Sequence, residues 1–352
     1  MKSISFVAVA LLSLLPVPIL NGLLLRDLPS HPFSLEMVRG ATSKSLAAIG
    51  ISSNPKQVFV GEGGTLFLGG QYANTVFNSS TPATEADLDN FDLKAKNLQR
   101  FAESIESEFD VEFYLVVGPN KSSVVKEDLP AIFYIQEQSK TSASTQALSK
   151  LDFVVNPSEK LINSTLYSYY KTDTHWNQFG GYQAYEELVD KLSSSRQLSG
   201  LEAVKLNDED FNLEGRTGGD LSRFLMTQDL DADFELRSDK ASIGSLSQID
   251  SAGNVIREWD HVPVTHAGAG AEPTYYVNPE ALNKSRVLWV RDSFGASMSP
   301  YIHSTFENVL SVHANDADLE TTKILIGDFR PDIVLFTLVE RTLVLPHLFF
   351  FQ

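Results

Sequence analysis

The chain has 352 residues, with 45 acidic and 28 basic side chains, a formal net charge of −17 and no cysteine. This length is enough to bury a large core. The acidic charge gives the protein no reason to bind nucleic acid non-specifically. The absence of cysteine excludes disulfides and thiolate metal sites, and it suits an exported protein that folds without oxidation.

The N-terminus predicts a membrane anchor or an export signal over residues 1–25. Lys2 precedes an apolar run that begins at Ile4 and continues past Asn21 and Gly22 to Leu25, without a small-x-small cleavage site. A cleaved signal peptide has a shorter apolar core, whereas about 20 apolar residues can span a bilayer. We favour the uncleaved anchor, with Lys2 on the cytoplasmic side, then a polar linker over residues 26–55 and one folded domain over residues 56–352.

Helical and strand patterns alternate in the folded part. Glycines between Gly61 and Gly70 indicate a hairpin-like entry element. Helices are predicted over residues 84–109 and 178–192, strands over 111–117 and 151–155, and a surface loop or polar helix over 139–149. Residues 193–285 read as loops and short strands that cover a site. The last third predicts strands over 287–290, 308–313 and 333–339, with helices beginning near Gly295 and Asp318. These strands are continuously apolar, which is typical of parallel strands covered on both faces.

A carboxylate and an imidazole stand two residues apart in Asp173-Thr174-His175-Trp176-Asn177, just before a predicted helix. An acid so close to a histidine can hold the imidazole in one tautomer and stabilise the imidazolium, which is the role of the orienting acid in a nucleophilic triad. Asp173 and Asn177 are also good helix-capping residues, so a structural role stays open. Asp260-His261 is a rival pair, which we rank well below Asp173 and His175.

The best candidate nucleophile is Ser293, which follows the apolar run Val287–Val290 and the pair Arg291-Asp292. A serine at a strand end suits a site in an open α/β sheet, where ligands gather beyond the carboxyl ends of the strands. A serine hydroxyl needs a base to remove its proton, and His175 can supply one. Taken alone, Ser293 also fits an ordinary turn.

The ordered set of motifs resembles the SGNH-hydrolase-like alginate O-acetyltransferases of bacterial exopolysaccharide systems, of the AlgJ and AlgX type. The resemblance rests on Asp-x-His-Trp-Asn followed by Asp-Ser-Phe, on a glycine-rich entry motif, on a Pro-x-Lys segment at Lys121, on Thr217-Gly-Gly-Asp-Leu and on Val339-Glu-Arg. It covers roughly residues 55–345. Two positions depart from the family pattern, because Thr65 stands where the entry motif usually has Trp, and Arg291 stands two positions before the serine, where the family usually has Gly or another small residue.

The resemblance implies a three-layer α/β/α sandwich with a mostly parallel central sheet. It implies an O-acetyltransferase that acts on an exported polysaccharide such as alginate through an acetyl-serine, with Asp173, His175 and Ser293 as the triad and no metal or other cofactor. A separate multi-pass membrane O-acyltransferase would deliver the acetyl group, and other exopolysaccharide export proteins would be partners. The domain would lie in the periplasm, anchored to the inner membrane. In such enzymes a Gly and an Asn complete the oxyanion hole, and neither can be assigned here from spacing.

Four further residues are candidates for substrate binding. Arg291 is expected at an acceptor groove, because an acidic glycan would need a local basic surface on a protein of charge −17. Lys121 and Arg341 have the same potential, although an ion pair between Glu340 and Arg341 at the sheet rim is the simpler reading. Asn177 belongs to the histidine motif, and its role can be purely structural.

Two alternatives to the transferase remain open at the level of sequence. A carbohydrate acetylesterase would run the same triad chemistry with water as acceptor. A catalytically silent glycan-binding or assembly subunit of an exopolysaccharide complex would need no working triad, and Arg291 before the serine is the best argument for it.

The anchor hypothesis makes a prediction about the mature protein. We expect its N-terminus to retain the apolar run, because no cleavage site follows that run. N-terminal sequencing of the protein from its native host is the measurement, and a mature start at about residue 20–30 would rule out the anchor.

Overall fold

A computed structural model of the protein describes residues 35–250, 252–263 and 273–345. The predicted anchor over residues 1–25 lies outside these ranges, and the domain boundaries remain predictions. None of the helices within the described ranges is long and apolar enough to cross a membrane.

The chain alternates helices and strands, as the sequence predicts. The α-helices are α1 (Glu36–Ala47), α2 (Thr75–Ser80), α3 (Glu85–Phe109), α4 (Lys121–Val124), α5 (Lys140–Leu148), α6 (Ser158–Ile162), α7 (Gln178–Leu192), α8 (Asp220–Phe224), α9 (Ser299–Thr305), α10 (Leu319–Phe329) and α11 (Glu340–Val344). The strands are β1 (Val58–Val60), β2 (Leu66–Leu68), β3 (Glu112–Gly118), β4 (Val154–Val155), β5 (Asn212–Thr217), β6 (Ala232–Arg237), β7 (Leu246–Ile249), β8 (Val255–Trp259), β9 (Thr274–Val277), β10 (Asn283–Arg291), β11 (Phe306–His313) and β12 (Ile333–Val339).

The central sheet has eight strands in the order β4-β3-β12-β10-β11-β9-β7-β8. The first five are parallel to one another, and β9, β7 and β8 extend the sheet with antiparallel pairings. The ends of β3, β10 and β12 lie side by side, because Val339 is paired with Gly118 and Arg291 with Thr337. Segments that leave these three strands therefore meet at one edge of the sheet.

Helices cover both faces of the sheet, which makes three layers. Successive strand residues point to opposite faces. Val116 and Trp289 pack in the core beneath α7 and α9, whereas Leu115 and Val290 pack in the core beneath α3 and α10. Each parallel strand is thus buried on both sides, and the predicted α/β/α sandwich with a mostly parallel sheet is confirmed.

Helix α3 forms where its sequence signals place it. Thr84 and Asp87 make a reciprocal capping box, in which the Asp87 amide donates to the Thr84 hydroxyl and the Thr84 amide donates to the Asp87 carboxylate. Such a cap satisfies amides that would otherwise lack partners in the first turn. One face of this helix packs against the sheet and buries the side chains of Leu98, Phe101 and Ile105.

Two segments differ from their predicted form. Within the stretch predicted as linker, residues Glu36–Ala47 form helix α1. The serine- and threonine-rich stretch forms α5, but this helix is largely buried and not at the surface. Its polar groups can be buried because they are hydrogen bonded. The Ser144 hydroxyl donates to the Thr141 carbonyl and the Thr145 hydroxyl to Glu340.

The close packing of α7 on the segment after β10 makes a prediction about Gly181. A Cβ atom there would lie 2.4 Å from the carbonyl oxygen of Ser297, and backbone would have to move. We expect Gly181→Ala to lower the free energy of unfolding by about 1–2 kcal/mol, because overpacking outweighs the gain in helix propensity. Urea unfolding of the wild type and the variant measures this difference in the free energy of unfolding.

Gly215→Ala is the matched control. A Cβ atom on Gly215 meets no heavy atom within 4 Å, so this variant should change stability by less than about 0.5 kcal/mol. Equal losses for the two variants would contradict the packing argument.

Candidate active site

Three side chains from distant parts of the chain form one line of hydrogen bonds. His175 Nε2 lies 2.8 Å from Ser293 Oγ, and His175 Nδ1 lies 2.6 Å from Asp173 Oδ1. The His175 amide also donates to Asp173 Oδ1, at 3.1 Å. With a proton on Nδ1, the imidazole donates to the carboxylate and presents a lone pair to the hydroxyl. The structure therefore brings together the three residues that the sequence nominated as a triad.

Ser293 is positioned by Asp292. The Asp292 carboxylate accepts a hydrogen bond from the Phe294 amide at 2.8 Å and another from the Val339 amide at 2.7 Å. These bonds cap a short 3-10 helix, Ser293–Met298, and tie it to the end of β12. The Ser293 amide is the first N–H of this helix, a position that intrahelical bonds leave free to meet another acceptor.

His175 is positioned by its neighbours Trp176 and Asn177. The Trp176 side chain is fully buried, and its indole N–H donates to the carbonyl of Phe294 at 2.8 Å. Asn177 caps α7 by accepting from the Gly180 amide, and its side-chain amide donates to the carbonyl of Tyr167. Asn177 is 1% exposed. Its contacts are those of a structural residue, and we do not propose it as a substrate contact.

Asp173 is a buried carboxylate in a strongly polar setting. Burial acts to raise its pKa, but the hydrogen bonds from His175 and the positive charges of His175 and Arg216 outweigh burial and lower the pKa below its ordinary value. A second carboxylate, that of Asp220, also lies near the imidazole, 3.9 Å from His175 Nδ1. Burial and the charge of Asp173 raise the pKa of Asp220. Asp173 is thus the more acidic of the two carboxylates and remains ionised beside the imidazole.

The segment Gly218-Gly219-Asp220 packs directly on the loop that carries Asp173 and His175. Asp220 accepts from the Thr174 amide at 2.7 Å, and the Asp220 amide donates to Asp173 Oδ2 at 3.2 Å. A Cβ atom on Gly219 would lie 2.4 Å from the Asp173 carboxylate, so only glycine allows this approach. The sequence signal was the Thr-Gly-Gly-Asp-Leu motif, but its role beside Asp173 was not predicted.

The expectation that Arg291 lies at an acceptor groove is corrected by its burial. Arg291 is 1% exposed, and its guanidinium lies 4.9 Å from the centre of the Trp289 ring and donates to Ser311 Oγ at 3.3 Å. Burial lowers its pKa to about 10. A side chain in this position neither reaches a polymer nor narrows the entrance to Ser293.

Lys121 is also buried, at 5% exposed. Its ammonium group donates to the carbonyl of Leu66 at 2.8 Å and to the carbonyl of Lys171 at 3.2 Å. Burial lowers its pKa to about 8, against the opposing effect of nearby carboxylates, of which Asp173 acts most strongly. Lys121 thereby links strand β2 to the loop that carries Asp173 and His175, and we assign it a structural role.

Glu340 and Arg341 do not form the ion pair suggested from sequence. The Glu340 carboxylate accepts from the amide and side chain of Asn120, from Ser123 and from Thr145. The Arg341 guanidinium lies 5.4 Å from the centre of the Phe294 ring, next to the serine. Arg341 is only partly buried, so it alone of the four substrate-binding candidates combines exposure with a place beside the triad.

The rival pair Asp260 and His261 is exposed after edge strand β8. Ser293 instead contacts His175, which comes from the loop before α7.

An open, mostly parallel sheet with a Ser-His-Asp hydrogen-bond line at its carboxyl edge fits several classes of α/β hydrolase-like protein, and the family comparison selects the SGNH-hydrolase-like class. The family model described as "SGNH hydrolase-like domain, acetyltransferase AlgX" matches residues 76–252, about half of the chain, and the chain belongs to this family. The resemblance predicted from sequence is confirmed. The matched region contains Asp173 and His175 and ends before Ser293.

The first two of the following solved structures agree with this chain in fold. PatB1 of Bacillus cereus with a sulfonyl adduct is 14% identical, with 81% of this chain and 94% of that chain covered and a TM-score of 0.56. A DHHW family protein from Eubacterium siraeum is 15% identical, with 86% and 96% covered and a TM-score of 0.58. The O-acetyltransferase domain of Pseudomonas putida AlgJ is 15% identical, with 82% and 92% covered and a TM-score of 0.49. None of the curated proteins compared with the chain matches it.

The contacts of Lys121 predict a loss of stability when its ammonium is removed. Lys121→Met leaves the buried carbonyls of Leu66 and Lys171 without that donor, and we expect the free energy of unfolding to fall by about 1–3 kcal/mol. Urea unfolding is the measurement. The exposed Lys126→Met is the control, with an expected change below about 0.5 kcal/mol. Lost activity with unchanged stability would instead favour the substrate-binding role.

Proposed function

We propose that the protein is an O-acetyltransferase that acts on an exported bacterial polysaccharide through an acetyl-serine intermediate. The observation that carries the proposal is the hydrogen-bond line Asp173–His175–Ser293 at the carboxyl edge of the sheet. Membership of a family described as acetyltransferase supports acetyl transfer as the reaction. Alginate or a similar glycan is the acceptor that the family resemblance favours.

In the first half-reaction His175 Nε2 takes the proton of Ser293 as Oγ attacks the carbonyl carbon of the acetyl donor. Asp173 accepts a hydrogen bond from Nδ1 and stabilises the imidazolium that forms. The negative charge on the carbonyl oxygen is met by N–H donors, of which the Ser293 amide is the one we assign. As the tetrahedral intermediate collapses, the bond to the leaving group breaks and His175 returns its proton to that group.

The second half-reaction runs the same steps with a sugar hydroxyl. His175 removes the hydroxyl proton, the sugar oxygen attacks the acetyl carbon, and the ester bond to Ser293 breaks with return of the proton to Oγ. No redox step and no nucleotide enter this sequence. An esterase differs only in that water takes the place of the sugar, so access to the acetyl-serine decides the product.

The acetyl group would come from a multi-pass membrane O-acyltransferase, and the site would therefore face the periplasm. An N-terminal anchor in the inner membrane would keep the domain near that donor and near other exopolysaccharide export proteins. The family resemblance and the apolar N-terminal sequence support this location.

The triad assignment predicts the pattern of losses in variants. We expect Ser293→Ala and His175→Ala each to lower kcat on a small acetyl ester by on the order of a thousandfold or more, with the double variant little worse than either, because residues that act as one unit are non-additive. Asp173→Ala should lose less, since it orients and stabilises the base without touching the ester. Near-normal turnover by Ser293→Ala would refute the assignment.

A covalent probe tests the nucleophile directly. Because a structure of PatB1 carries a sulfonyl adduct, we use an aryl sulfonyl fluoride as the reagent, and peptide mass spectrometry should find its adduct on Ser293. Incubation with an acetyl donor and a polyuronate then separates the functions. Acetylated polymer supports the transferase, release of acetate alone identifies an esterase, and an unlabelled Ser293 identifies a catalytically silent subunit.

A further inference from the structure

A small hairpin outside the central sheet holds the loop that carries Asp173 and His175. Among the residues that the structure describes, strands β5 and β6 pair only with each other, and Arg216 lies directly opposite Asp233 across the pair. Side chains directly opposite in a hairpin project to the same face. That face meets the loop, because both of these side chains contact it.

Asp233 fixes the backbone of the loop. It is 1% exposed, and its carboxylate accepts from the Lys171 amide at 3.0 Å and from the Thr172 amide at 2.7 Å. Glu235, two residues further on the same strand, accepts from the Tyr170 hydroxyl at 2.5 Å. The two carboxylates of β6 thus anchor the three residues that precede Asp173.

Arg216 adds a positive charge at Asp173 itself. Its terminal nitrogen lies 3.7 Å from Asp173 Oδ2, the oxygen that does not face His175. Its guanidinium carbon lies 4.0 Å from the centre of the Tyr170 ring, within the range of a cation–π contact. The Arg216 side chain is 31% exposed and that of Asp173 is 11% exposed, so Arg216 is the more solvent-accessible partner of this ion pair.

We propose that Arg216 is a positioning residue for the triad: placed over the Tyr170 ring, it holds the Asp173 carboxylate directed at His175 and offsets part of its charge, and it thereby sets the acid limit of activity. The proposal rests on the proposed function, in which His175 acts as the base. Loss of the cation leaves the carboxylate charge less compensated, which favours the imidazolium and keeps the base protonated to a higher pH.

The other charged groups near this pair are fixed by their own contacts. The Asp220 carboxylate is bound by Thr174 and the Asp233 carboxylate by the loop amides, whereas the Lys121 ammonium is buried against carbonyls. A further cation, Arg341, lies over the Phe294 ring, whereas Arg216 is the arginine within ion-pair distance of Asp173 itself. Unlike Lys121, Arg216 can be removed without taking a donor from the buried carbonyls of Leu66 and Lys171.

The experiment is an NMR titration of the imidazole of His175 in the full-length protein. His175→Gln identifies the signal among the seven histidines. We expect Arg216→Gln to move the midpoint upward by about half a pH unit, and Arg216→Lys, which keeps the charge, to move it less. On an acetyl ester, Arg216→Gln should lose about threefold in kcat/KM below the midpoint and less above it.

Arg237→Gln is the matched control. Arg237 lies on the same hairpin with similar exposure, 35%, but pairs with Glu214 and Asp239. Its loss should leave the midpoint unchanged. Equal midpoints in wild type and Arg216→Gln would overturn the proposal, as would a loss of activity that is uniform with pH and accompanied by lower stability. The titration needs no turnover, so a wild-type protein without activity or labelling would refute the proposed function while the Arg216 effect is still measured.

Discussion

The hydrogen bond between His175 and Ser293 depends on the whole architecture, because it joins residues 118 positions apart. Ser293 follows β10 in the middle of the parallel sheet, and His175 precedes α7 in the layer above it. Neither segment alone fixes the distance between the two side chains. The distance is fixed by contacts around the bond, chiefly the buried indole of Trp176 on the Phe294 carbonyl and the close approach of Gly181 to Ser297.

The second constraint is charge. Three carboxylates lie close enough to act on the same buried ammonium group, that of Lys121: they are Asp173, Asp220 and Asp233. The chain as a whole carries a net charge of −17. Like charges at close range disfavour ionisation, so a carboxylate that must stay ionised beside an imidazole needs compensation. For Asp173 the compensation comes first from the hydrogen bonds and charge of His175 and then from the partly exposed Arg216, and the buried Lys121 adds a positive charge near all three carboxylates. This arrangement makes Asp173 more acidic and Asp220 less acidic than an isolated aspartic acid.

The sequence predicted the elements that obey local rules. The Asp-x-His spacing reports a contact made within two residues, and the apolar runs of the parallel strands report burial on both faces, which the local composition indicates without knowledge of the partner strands. Arg291 could not be placed in this way. It follows a buried strand in sequence, but only the packed structure shows that its side chain lies against Trp289, two residues earlier on the same face. Asp233 and Arg216 gave no sequence signal, because their contacts reach across 40 or more positions to a loop whose shape sequence does not specify.

The assignment of the nucleophile rests on geometry more than on family membership. The family match ends at residue 252, so it contains the proposed base and its acid but not Ser293. Many serines occur in the chain, and a serine after a strand is common in turns. Ser293 is distinguished by two independent contacts: its hydroxyl meets His175 Nε2, and its helix is tied to β12 through Asp292. A serine held from both sides at the carboxyl edge of a parallel sheet has little conformational freedom left to lose on reaching the attack geometry, and this preorganisation is what a nucleophile requires.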